Sequence, residues 1–168
     1  SNREPGPIDP TRTYILRVKG ASTKGTGGTG VGIVLVDSEH PTLYWTARKY
    51  LSGDRSIFEA EYTGLIVGLR YAIRRGVRSI KLEIDHDVTM GHMKGIYEVT
   101  KPELIPMFQT IMEIRDSLHS FSISRITKKE NHKAQDLAHK AHATRISMHI
   151  EDSVDPMEGQ DSQGKRSR

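Results

Sequence analysis

The stretch YILRVKGASTKGTGGTGVGIVLV, residues 14–36, decides the fold. Its opening, Tyr14-Ile15-Leu16-Arg17-Val18, and its close, Val31-Gly32-Ile33-Val34-Leu35-Val36, are apolar and β-branched, a composition that suits a pleated, half-buried surface. Between them Lys24 to Gly30 is dense in glycine, a turn signal. Two strands joined by a glycine-rich connection are predicted. Asp37-Ser38-Glu39-His40-Pro41 is again turn composition, and Thr42 to Tyr50 is rich in strand formers. A third strand follows the first two.

Downstream the period changes. Phe58, Tyr62, Leu65, Leu69 and Ile73 recur every three or four residues, one stripe of an α-helix. Gly64 and Gly68 on it would let the helix approach a sheet closely, and Gly76 suits a C-terminal cap. Ser79 to Ile84 reads as a fourth strand, leading into a short helix through Met93. A helix from Pro102 to about His119 follows, then a strand over Phe121 to Ile126 and a helix from His132 to about His142. The order β-β-β-α-β-α-α-β-α predicts an α/β fold, a five-stranded mixed sheet flanked by helices on both faces.

The 168 residues suit one domain, expected over residues 12–150. Residues 1–11 and 151–168 hold four of the seven prolines and are expected to be disordered tails. Hydrophobic residues make up 35% of the chain, and no apolar run is long enough to span a bilayer. The polar opening SNREPGPIDP is no signal segment, so an intracellular setting is expected, with nucleus, cytoplasm and organelle undistinguished. With no cysteine, the chain can form neither disulfides nor thiolate-held metal sites. The net charge is +4; from Glu151 onward five acids face three bases, which leaves +6 on the body. A basic body is permissive for phosphate-backbone binding.

Four local motifs lie in order along the body. They are Lys19-Gly20-Ala21-Ser22 with the glycine loop, Ala60-Glu61-Tyr62, Leu82-Glu83-Ile84-Asp85-His86-Asp87, and Lys128-Lys129-Glu130-Asn131-His132-Lys133-Ala134-Gln135-Asp136-Leu137-Ala138. With the element order, over about residues 13–143, they resemble ribonuclease H type I, in the short form of archaeal, plant and retrotransposon proteins. The longer form's basic handle is absent, since only Lys94 to Lys101 separate two helices. The resemblance implies hydrolysis of the RNA strand of RNA–DNA hybrids by four carboxylates and two Mg²⁺ ions about 4 Å apart.

The positions matching those acids hold Lys19, Glu61, Asp85 and Gln135, so the matched site has two carboxylates and one ammonium. Hard dications need charged oxygen ligands. The resemblance therefore implies a degenerate site, a pseudoenzyme, with Lys19 standing in electrostatically for the missing cations and no metal expected. Asp136 offers no rescue, because adjacent residues lie about 100° apart around a helix. An alternative is a surviving Mg²⁺- or Mn²⁺-dependent ribonuclease on Glu61, Asp85 and Asp87. The plainest alternative makes Glu61 and Asp85 surface acids paired with Lys19.

For binding, the resemblance implies nucleic-acid contacts by Gly20, Ala21, Ser22, Lys24, Lys128 and Asn131. The glycine loop also reads as a mere hairpin connection. Nucleic acid, an RNA–DNA hybrid or RNA, is the expected partner. A protein-interaction module on the same scaffold is the third reading. Oligomeric state is not readable from the sequence. His132, His139 and His142 lack the carboxylate or cysteine spacing that would complete a zinc site, and Trp45 is expected in the core.

Overall fold

A computed structural model describes residues 7–149 apart from Lys24 and Thr26. Most of the expected tails and the candidate contact Lys24 lie outside the described residues. The elements follow the expected order: β1 (Thr13–Ser22), β2 (Gly28–Asp37), β3 (Tyr44–Ser52), α1 (Ile57–Arg74), β4 (Ser79–Ile84), α2 (Asp87–Lys94), α3 (Ile105–Asp116), β5 (Ser120–Arg125) and α4 (His132–Thr144). A two-residue strand, β6 (Met148–His149), adds a short sixth member at one edge.

The sheet runs β5-β4-β1-β2-β3-β6. β1 pairs antiparallel with β2 and parallel with β4, so β1 is central and the sheet is mixed. β1 alternates: Tyr14, Leu16 and Val18 are buried in the main core, while Ile15 lies on the opposite face among Val34, Val36, Ala134 and Leu137. Period-2 side-chain direction lets one central strand serve two cores. α1 covers the first face and α4 the second.

α1 starts with a capping box. Ser56 Oγ accepts from Glu59 N at 3.1 Å, and Glu59 Oε1 accepts from Ser56 N at 3.2 Å. Its buried stripe includes Tyr62, Leu65 and Leu69, all without exposure, each worth about 1.5–3 kcal/mol of burial. A Cβ on Gly68 would sit 2.6 Å from Leu16 Cδ1, so the bare glycine is what lets α1 lie on β1. α4 comes closer still: a Cβ on Gly30 or Gly32 of β2 would collide with the carbonyl oxygens of Ala138 and Ala134. Trp45 is buried edge-on against Tyr14, ring centroids 6.0 Å apart.

At the N-terminal side, Ile8 packs on the core, and Asp9 N donates to the Tyr14 hydroxyl at 2.9 Å. Among the described residues no helix is long and apolar enough to cross a membrane.

Candidate functional site

Four elements deliver side chains to one place. β1 brings Lys19, α1 brings Glu61 in its first turns, the end of β4 brings Asp85, and the turn into α4 brings Asn131. Because β1 and β4 are parallel neighbours in register, Lys19 and Asp85 lie at matching ends of adjacent strands. Lys19 Nζ donates to Asp85 Oδ1 at 2.8 Å and lies 3.9 Å from Glu61 Oε2. Both acids are buried, at 8% and 2% exposure. A unit-charge pair 4 Å apart is worth roughly 4 kcal/mol at an effective dielectric of 20, which is why a half-buried ammonium is stable between them.

The remaining carboxylate oxygens are also taken. Asn131 Nδ2 donates to Asp85 Oδ2 at 3.1 Å and to Val18 O at 3.0 Å. Thr89 Oγ1 donates to Glu61 Oε1 at 2.7 Å, and His86 Nδ1 meets the same oxygen at 3.0 Å. That bond to Glu61 raises the His86 pKa above its ordinary 6.5, outweighing the loss of solvation on burial. The His86 ring stacks on Phe58 at 5.0 Å between centroids. Behind it, the Tyr62 hydroxyl and His92 Nδ1 are 2.7 Å apart. Burial pushes His92 down, with His86 adding to the effect, and pushes the Tyr62 hydroxyl far up.

Of the residues singled out from sequence, Lys19, Glu61, Asp85 and Asn131 are therefore brought together. Gln135 is half-buried one turn further along α4, its backbone N–H donating to Asn131 O. Asp87 is exposed and pairs with Arg125 Nε at 3.0 Å. Gly20 and Ala21 are buried at the end of β1, a Cβ on Gly20 meeting Ala60 at 2.7 Å, while Ser22 and Lys128 are exposed. Asn131 is 1% exposed and its amide is committed within the protein; its Oδ1 has no hydrogen-bond partner. Thr89 was not singled out, since a threonine in the first turn of a helix carries no distinguishing pattern. His86, part of the third motif, has Glu61 as its partner.

The donor set does not fit a pair of dications. It offers two carboxylates, three of whose four oxygens already accept from protein groups while the fourth lies 3.9 Å from Lys19 Nζ, and an ammonium that donates protons and accepts no metal. Among the described residues, no group of three or more His, Cys, Asp or Glu is placed to hold a metal ion.

Comparison with known proteins agrees with this architecture. A family profile described as "Reverse transcriptase-like" matches residues 17–141. The bifunctional protein Rv2228c of Mycobacterium tuberculosis is 24% identical over 127 residues, which is 76% of this chain and 35% of that protein. The chain thus spans about a third of the length of the curated relatives it matches. Among solved structures, the N-terminal RNase H domain of Rv2228c superposes with a TM-score of 0.74 at 22% identity, covering 80% of this chain and 96% of that one. RNase H1 of the halophilic archaeon Halobacterium salinarum gives 0.73 at 23%, covering 79% and 98%. LC11-RNase H1 in complex with an RNA/DNA hybrid gives 0.69 at 22%, covering 79% and 98%. At these identities the likeness shows the fold.

Proposed function

The chain belongs to the reverse-transcriptase-like family within the ribonuclease-H-like superfamily, and on that premise we propose that it binds an RNA–DNA hybrid or structured RNA without cleaving it. The observation that carries this reading is Lys19 Nζ lodged 2.8 Å from Asp85 and 3.9 Å from Glu61. In a working two-metal centre the cations activate water and stabilise the leaving oxygen. Here Lys19 supplies positive charge but neither function, because an ammonium cannot ligate and activate a water as a metal does.

The chain's own residues explain why the substitution is tolerated. Lys19 offsets the two acids, Asn131 and Thr89 complete their hydrogen bonds, and the cluster is stable without a dication. Binding needs different groups. Lys128 and Lys129 are exposed on the turn leading into Asn131, and Asn131 is tied to Val18 of β1. The cationic turn therefore lies beside the strand that ends in Gly20, Ala21 and Ser22. The relative solved with a hybrid, LC11-RNase H1, shares this fold, which supports a duplex as the ligand class. Contacts to phosphates would dominate, so affinity should fall linearly in log–log terms with salt and show little sequence preference.

A mobility-shift titration with hybrid and with RNA at rising salt tests binding; no shift at low salt for any nucleic acid removes it. Cleavage is tested separately. Robust Mg²⁺- or Mn²⁺-dependent hydrolysis by the natural sequence, abolished by Asp85→Asn, would overturn the inactive reading. The double variant Lys19→Asp, Gln135→Asp should gain a Mg²⁺-dependent rise in melting temperature that the natural sequence lacks, since a ligand bound to the native state stabilises it by RT ln(1 + [L]/Kd).

A further inference from the structure

Both tyrosines that β3 turns toward α4 are covered by a cation from that helix. Lys133 Nζ, in the first turn of α4, lies 3.7 Å from the centre of the Tyr44 ring. Arg145, at the C-terminal end of α4, has Cζ 5.6 Å from the centre of the Tyr50 ring and donates from Nη1 to the Tyr50 hydroxyl. Tyr44 and Tyr50 are six residues apart in β3, about 20 Å of strand, and the even spacing puts Arg48 on the same face between them. Lys140 follows Lys133 by two turns and so lies on the same side of α4.

Both ends of this corner are held in place. Arg145 has a φ of 59° and is the one non-glycine residue at positive φ among the described residues. Helices commonly end on glycine at such a position, because a side chain there is strained. What the arginine adds is a guanidinium over Tyr50, whose ring also lies on Gly28, where a Cβ would collide with it. At the other end Tyr44 is 38% exposed. With Lys133, Arg17 and the apolar Ile15, Val34 and Val36 it lines a cleft of about 170 Å³.

The charges and the rings together choose the occupant. β3 carries no acid, and α4 carries one, Asp136. Arg48 donates from Nη2 to Met148 Sδ at 2.8 Å and Lys133 sits on Tyr44, and neither forms an ion pair among the described residues. Uncompensated cations attract a polyanion. Cations alone would suit an acidic peptide equally well, but rings interleaved with them favour nucleic acid, since an unpaired base has a flat face to stack and a carboxylate side chain has none. We infer that this corner between β3 and α4 binds an unpaired nucleic-acid strand, with a base stacked on Tyr44 and phosphates on Lys133, Arg48 and Lys140. A base arriving on Tyr44 releases the Lys133 ammonium to a phosphate, and the planar Arg145 guanidinium offers a second stacking surface. Lys128 and Lys129 take no part, so the surface is separate from the one proposed for a duplex.

Fluorescence anisotropy of a labelled single-stranded oligo-dT, titrated with the full chain at low salt, tests this. The natural sequence should bind. Tyr44→Ala should weaken binding about 5- to 150-fold with the melting temperature unchanged, while Tyr44→Phe, which keeps the ring, should bind like the natural sequence. Lys133→Gln should weaken binding and lower the log–log salt slope by about 0.7. Lys128→Gln with Lys129→Gln should leave oligo-dT binding as it was, so the outcome is independent of whether a duplex binds. No anisotropy change at low salt overturns the proposal. Binding that Tyr44→Ala leaves intact overturns it too, and would leave a surface of charge alone, open to an acidic peptide. Loss of oligo-dT binding in the Lys128, Lys129 double variant would move the strand to the duplex surface and equally overturn it.

Discussion

Two buried acidic centres sit at opposite ends of the central hairpin, and they are held in different ways. At the β2 end, Asp37 is 1% exposed and accepts from the backbone N–H groups of Glu39 at 2.9 Å and His40 at 3.3 Å, with the Arg12 guanidinium at 2.8 Å. Two of those three donors are local, within three residues, the signature of an Asx turn. At the other end, Asp85 and Glu61 draw on Lys19, Asn131, Thr89 and His86, four side chains from three distant parts of the chain. The first arrangement shapes a turn. The second needs β1, α1, the end of β4, the start of α2 and the turn into α4 brought together, so it reports on tertiary structure and not on local folding.

The largest effect expected from this contrast is at Lys19. Lys19→Met leaves two buried carboxylates facing one another without their cation, and breaking a buried pair by removing one partner costs about 3–5 kcal/mol. Urea unfolding near neutral pH would read that loss, and added Mg²⁺ should recover part of it. A cost under about 1 kcal/mol, typical of a solvent-screened pair, would mean that the ammonium is not what offsets the acids.

Asp37 should respond more modestly. Asp37→Asn keeps the shape and one acceptor oxygen but loses charge-assisted bonds, a cost of about 1.5–3 kcal/mol with no Mg²⁺ dependence. Burial alone would raise the Asp37 carboxyl, but the Glu39 N–H, Arg12 and the His40 N–H together hold it below 3.8. Its folded value being the lower one, its contribution is present above 3.8 and disappears as pH falls through the folded value. Acid unfolding of Asp37→Asn should therefore be shallower than that of the natural sequence. An identical acid limb for the two proteins would place the pH sensitivity elsewhere.

The same contrast shows what was legible in the sequence. Element order and sheet class were readable because periodicity is local: the Phe58 to Ile73 stripe lies within α1, one residue short of each end, and Ser79 to Ile84 became β4 without change of bounds. Strand ends were less readable. β1 extends to Ser22 because Lys19 to Ser22 pair with Thr29 to Gly32 in register, and those residues, mostly small or polar, carry little strand signal of their own. Lys19, Glu61 and Asp85 could be placed together only through the resemblance, since their separations of 24 to 66 residues leave no local pattern. Asn131 was expected among the nucleic-acid contacts; the structure adds that its amide ties Asp85 to Val18, a link between residues 46 and 113 positions away that no local pattern shows. The closeness of α4 to β2 was half-visible, in the small residues Gly30, Gly32, Ala134 and Ala138, but no periodicity says which helix meets which strand.

The smallest and most diagnostic effect is at His86. Its pKa is raised chiefly by the bond to Glu61, so its contribution is complete below 6.5 and is lost as pH climbs through the higher folded value. The ring is 28% exposed on its side chain, and screening keeps the amount below about 1 kcal/mol. Titration followed by NMR is therefore the better instrument than stability. His86 should titrate above 6.5 and His92, pushed down by burial, below it, giving two histidines of one aromatic cluster on opposite sides of the ordinary value. Glu61→Gln removes both the accepting carboxylate and its charge, leaving desolvation and Lys19 to act on the ring unopposed by their main counterweight. The His86 midpoint should then fall, while His92, whose shift comes from burial first, should move little. If Glu61→Gln leaves the His86 midpoint where it was, then Glu61 is not what holds the imidazolium. The charge balance drawn for the site, two acids against Lys19 with His86 as the titrating fourth member, would have to be replaced.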